Sequence, residues 1–126
     1  MTMMRNVMAL GACALLAACA TAQRPKYDWA GYDEALYGYY KHPADNAPYM
    51  ASLKAAIDHA DKNHQRVPPG ICAEYGYMLM QQKKYDEAAS YFEQEKQAWP
   101  ESASFMDGMI KSAHAGGHAT SGNVKS

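Results

Sequence analysis

Several residue sets in this 126-residue chain have the types that chemistry uses. The histidines include two pairs: His59 and His64 stand five apart, and His114 and His118 four apart. Two histidines one helical turn apart can share a metal. The second pair, however, brackets Gly116-Gly117 in a polar tail where no helix is expected, and no carboxylate motif accompanies it. Both pairs read as solvated, and neither a metal nor any other cofactor is expected. Glu93, Glu95 and Lys96 have the types of acid–base catalysis. By helical phase Glu93 faces out, whereas Glu95 falls on the inner seam with Ala88 and Phe92. A buried carboxylate needs a partner, and Arg66, a lysine or a tyrosine hydroxyl are the candidates. The serines form no Ser-His-Asp arrangement or nucleophile elbow, and there is no phosphate loop. No catalytic residue and no small-molecule substrate are expected. A formal net charge of −1 provides no basic field for nucleic acid.

Cysteine chemistry is concentrated at the amino terminus. Arg5 is followed by an apolar run from Val7 to Ala18, too short to span a bilayer but of the length of a cleaved signal. It ends Leu16-Ala17-Ala18-Cys19, which resembles the lipobox of bacterial lipoproteins. That reading puts a signal peptide at 1–18 and a lipid on Cys19. Two alternatives stand beside it. Leu10-Gly11-Ala12-Cys13 fits the motif but leaves almost no apolar run, and an ordinary secretory signal would be cut near Ala22. Acyl chains on Cys19, at about 0.8 kcal/mol per buried CH₂, would hold the chain on a membrane. Ala20 in place of an aspartate favours the outer membrane, periplasmic face, by the usual sorting pattern. Cys72 is then the remaining thiol. It has no internal partner and sits in an apolar helical stretch, as a small buried hydrophobe does.

Tyrosine is the compositional anomaly, with ten in the chain. Tyr27, Trp29, Tyr32, Tyr37, Tyr39, Tyr40 and Tyr49 crowd one quarter of it. A single helix cannot bury tyrosines on all sides. Trp29, Tyr37, Tyr39 and Tyr40 are therefore candidates for a partner-binding face, since aromatics with a polar tip suit interfaces.

The elements that position these residues are all helical. No stretch alternates over strand length. The expected class is all-α, with about five helices in antiparallel pairs. Residues 19–27 read as a lipidated tether, 28–114 as the helical domain, and 115–126, nearly without apolar residues, as a disordered tail. The first helix is expected from about Gly31 to Lys41, with Tyr32, Leu36, Tyr39 and Tyr40 inward, ended by His42-Pro43. The second runs from about Ala47 to Asn63, with Met50, Leu53, Ile57 and Ala60 on one face. The third runs from Pro68-Pro69-Gly70 to about Gln82, the fourth from Tyr85 to Trp99, and the fifth from Glu101 to Ala113, carrying Phe105, Met106, Met109 and Ile110.

Gly76, Tyr85, Ala88, Phe92 and Pro100 are spaced in a way that resembles a divergent tetratricopeptide repeat. Small Gly76 and Ala88 let two helices approach, while Tyr85 and Phe92 fill the gap toward the next. Lys83 and Glu95 depart from that pattern. Tyr32-Asp33-Glu34-Ala35 repeats Tyr85-Asp86-Glu87-Ala88 letter for letter, 53 residues upstream, too far for a regular array. Core packing between helices accounts for most of these residues.

Longer blocks carry a family resemblance: Trp29-Ala30-Gly31-Tyr32, Arg66-Val67-Pro68-Pro69-Gly70, Ala73-Glu74-Tyr75-Gly76-Tyr77, Phe92-Glu93-Gln94-Glu95-Lys96 and Trp99-Pro100-Glu101-Ser102. Across roughly 28–110 the chain resembles a family of proteobacterial lipoproteins described as domain of unknown function 4810. Members are typically encoded beside a lipoprotein similar to the curli-type secretion channel. The resemblance implies envelope lipoproteins as partners, including such a channel-like protein, and assigns no catalytic residue. The expected function is a non-enzymatic docking module on the outer membrane. The alternatives are an accessory factor that stabilises a secretion lipoprotein and, behind it, an enzyme acting on the cell wall or on peptides.

Overall fold

The computed structural model describes Tyr27, Trp29 and residues 31–122. The signal segment, Cys13, Cys19, Ala22 and most of the tether lie outside the described residues, as do residues 123–126. Among the described residues every element is helical: α1 Tyr32–Lys41, α2 Ala47–Lys62, α3 Ile71–Gln81, α4 Tyr85–Ala98, a 3₁₀ turn Pro100–Ser102 and α5 Ala103–Gly122. No helix among them is long and apolar enough to cross a membrane.

Local chemistry sets the boundaries. Gly31 (φ 74°) and Gly70 (φ 89°) precede α1 and α3 in left-handed conformations that favour glycine. His42-Pro43 closes α1. Pro48 lies in the first turn of α2 and Pro100 opens the 3₁₀ turn, positions where a missing N–H costs nothing.

Successive helices run antiparallel. Along the α3–α4 seam, Gly70 meets Glu95 and Gly76 meets Phe92 and Ala88. Along α4–α5, Tyr85 meets Gly116 and Lys96 meets Asp107. Two clusters make the core. Leu53, Ile57, Ile71, Cys72 and Met78 form one, packed against tyrosines of α1 and α2. Leu79, Ala88, Phe92, Met106 and Ala113 form the other. The close approach anticipated at Gly76 is present: a Cβ there would stand 2.8 Å from the Phe92 ring and 3.1 Å from the Ala88 carbonyl oxygen.

Two expectations change. First, α5 does not stop near Ala113 but continues to Gly122, through the start of the segment expected to be a disordered tail at 115. The cause is a tertiary contact. The Tyr85 ring lies against Gly116, where a Cβ would come within 2.5 Å of it. Composition alone reads Gly116-Gly117 as a helix breaker, whereas here the glycines admit a neighbour's ring. Second, Tyr40 is not inward but 78% exposed. Tyr39 takes the inward position, stacked on Tyr49 with centroids 5.0 Å apart. On α5, Phe105 is 68% exposed while adjacent Met106 is buried. Both exposed aromatics, Tyr40 and Phe105, flank the residue that the helical phase turns into the core.

Candidate functional site

Two clusters of polar and aromatic side chains flank α1, and a buried carboxylate lies between α3 and α4. The first cluster holds α1 to the body. Glu74 of α3 accepts hydrogen bonds from the Tyr32 hydroxyl, at 3.0 and 2.9 Å to its two oxygens, and from the Tyr49 hydroxyl. Burial raises the Tyr32 and Tyr49 pKa values, and hydrogen bonding to Glu74 adds to the effect. Both phenols therefore remain donors at neutral pH. Glu74 was not singled out from sequence. The available signal was two inward tyrosines whose hydroxyls needed an acceptor.

A cleft of about 370 Å³ opens on the other side of Tyr39 and Tyr49. Gly31, Ala35, Gly38 and Pro48 line it with little bulk, and Glu34, His42 and Asp45 also border it. Outside the cleft, α1 presents Tyr37 (61% exposed) and Tyr40. The Lys41 ammonium sits 4.6 Å from the Tyr37 ring centroid. Of the four aromatics expected on a partner face, Tyr37 and Tyr40 are exposed. Tyr39 is turned inward, and Trp29 is 38% exposed at the start of α1, against Tyr27 and Tyr32.

The second cluster is built on Trp99. Its indole N–H donates to the Val67 carbonyl at 3.1 Å, and the Arg66 guanidinium lies 4.8 Å from its ring centroid. Tyr27 packs edge-on against both Trp99 and Trp29, with centroids at 6.2 and 6.3 Å.

Glu95 is buried as expected, but its partner differs. The Gly70 backbone N–H donates to Oε1 at 2.7 Å, the nearby amides of Ala73 and Cys72 help to lower its pKa, and Oε2 is buried without a hydrogen-bond partner among the described residues. Gly70 has no side chain with which to cap α3, so a carboxylate from α4 serves its first turn. Arg66 stacks on Trp99 instead. Burial pushes the Glu95 pKa up, and the three amides oppose it. Burial also pushes the Cys72 thiol up to about 12, with Glu95 adding a smaller part, which leaves the thiol protonated and inert at neutral pH. Lys96 pairs with Asp107 at 2.6 Å and with Glu93 at 3.5 Å, so Glu93 and Lys96 belong to a surface ion-pair network.

His114 and His118 do lie one turn apart on α5, contrary to their placement in a helix-free tail. Among the described residues, no three His, Cys, Asp or Glu side chains gather as a metal site would require. The arrangement offers rings, hydroxyls and a small-residue cleft for contact with another molecule.

No curated protein and no solved structure matches the chain. A family model does match, over residues 26–109, a span that takes in both aromatic clusters, the cleft and Glu95. By that match, the chain belongs to the family described as domain of unknown function 4810.

Proposed function

We propose that this protein is an outer-membrane lipoprotein, anchored through Cys19 and facing the periplasm, that acts as a non-enzymatic adaptor docking on other envelope lipoproteins. The observation that carries the reading is the pair of tyrosines left bare on α1, Tyr37 at 61% and Tyr40 at 78% exposure. Aromatic side chains with polar tips give interfaces large contact area at low entropic cost. The lipobox-like Leu16-Ala17-Ala18-Cys19 supports the anchor. Tethering raises local concentration, so modest contacts suffice.

The partner expected is a curli-type secretion-channel-like lipoprotein. The test is purification of the tagged chain from detergent-solubilised membranes, followed by identification of what accompanies it. Recovery of such a lipoprotein, lost in the Tyr37→Ser/Tyr40→Ser double variant, supports the reading. Its absence, or retention by the double variant, counts against the tyrosine face.

A further inference from the structure

The two ends of the bundle are chemically different. Helices α1, α3 and α5 begin at one end and α2 and α4 finish there, which brings together Trp29, residues 63–70 and Trp99–Ser102. Both tryptophans of the chain are at this end. Tyr27 joins their rings edge-on, and Arg66 covers Trp99 while remaining exposed. Phe105, 68% exposed in the first turn of α5, lies at the same end, as do exposed Pro69, the carboxylates of Asp33, Glu34, Asp61 and Glu101, and Lys62. Tryptophan, tyrosine and arginine in one partly exposed group are the side chains that settle at a bilayer's headgroup level. Their rings have an apolar body and a polar edge, and the guanidinium meets lipid phosphate.

The path of the chain leads to the same place. Tyr27 is eight residues beyond Cys19, a distance that extended backbone can stretch to no more than about 28 Å. An anchor at Cys19 therefore tethers the bundle by the end that carries the tryptophans.

We propose that this aromatic–arginine end rests on the phospholipid headgroups of the membrane to which the chain is tethered, with Trp29, Trp99 and Arg66 in the contact. The proposal relies on the anchor proposed above. It also orients the molecule. Tyr40 lies eight residues along α1 from Tyr32, about 12 Å farther up the helix axis. Tyr40 thus stands higher above the lipid than Tyr32, where a protein partner can reach it.

The test uses the full chain, processed in cells, purified from membranes and reconstituted into phosphatidylethanolamine–phosphatidylglycerol vesicles. Tryptophan emission, excited selectively over the ten tyrosines, reports only on this end, because no other tryptophan is present. Quenching by headgroup spin-labelled lipid, together with protection from aqueous acrylamide, is expected, and Arg66→Glu should weaken both. Tryptophans open to acrylamide and untouched by the headgroup label would overturn the orientation. Metabolic labelling with palmitate separates the two readings. A labelled chain with unquenched tryptophans removes the orientation alone, whereas an unlabelled chain removes the anchor and the orientation with it.

Discussion

The α3–α4 seam and the attachment of α1 solve the same problem in opposite ways. Between α3 and α4, Gly76 and Ala88 bring backbones together around Phe92, which is wholly buried. Contact there is dry and depends on shape. Helix α1 has no fully buried residue. It is held by half-buried tyrosines, by the Tyr39–Tyr49 stack and by hydroxyls donated to Glu74. The seam is a core that tolerates little change of volume. The α1 attachment is a polar, aromatic contact whose individual parts are worth less, and it leaves two tyrosines for something else.

The largest effect should come from emptying the seam. Phe92→Ala removes a fully buried ring and is expected to cost about 3–5 kcal/mol, read from denaturant unfolding. Gly76→Val should approach that loss from the other direction, because its first added carbon already falls 2.8 Å from Phe92. Cys72 offers a second readout. Its thiol is buried and pushed up to about 12, so a maleimide reacts as α3 opens, and both variants should speed that reaction. If they leave labelling and stability near wild type, the contrast between the two regions fails.

Glu95 comes next. Glu95→Ala strips the first turn of α3 of its carboxylate and is expected to cost about 2–3 kcal/mol. Glu95→Gln keeps an acceptor for the Gly70 N–H and should cost less. The pH dependence separates charge from shape. Burial raises the folded-state pKa of Glu95 above its unfolded value. Its protonated form therefore stabilises the fold. That contribution is complete below the unfolded pKa of about 4.3 and is lost as pH rises through the raised value. Glu95→Gln does not titrate, so its stability relative to wild type should improve as pH rises through that window and then level off. A constant difference across the window would mean that burial does not govern this carboxyl.

The same contrast explains what sequence could and could not convey. The spacing of Gly76, Tyr85, Ala88 and Phe92 was legible because small–large complementarity repeats with the helical period. The burial of Glu95 followed from its phase beside Phe92. Its partner did not, because the donor is the backbone amide of Gly70, at a helix start 25 residues away, and an amide has no signature in residue type. Tyr40 was misplaced because one position on a helix is a turn of about 100°, enough to move a ring from core to water. The reach of α5 past Ala113 depended on Tyr85, and composition around Gly116 pointed the other way. Of the candidate site, the aromatic excess was visible, but which rings face out was decided by Tyr49 and Glu74.

Loosening α1 should have a smaller effect than either change at the seam. Tyr49→Phe removes one hydroxyl from Glu74 and is expected to cost about 1–2 kcal/mol. The loss should be local. Amide exchange should rise in α1 and at the start of α2 while Phe92 and Met106 stay protected. Equal loss of protection across all helices would show that α1 is as integral as the seam.

The smallest effect on stability should carry the largest effect on function. Tyr37 and Tyr40 make little contact with the rest of the fold apart from Lys41 over the Tyr37 ring. Replacing both with serine is expected to shift unfolding by no more than about 0.5 kcal/mol, as for surface sites in general. If the bare tyrosines serve a partner, the same variant should lose that partner at unchanged stability. A variant that unfolds early would instead place these rings in the attachment of α1. The division between a helix face that holds the fold and one that meets other molecules would then fall at Tyr39 no longer.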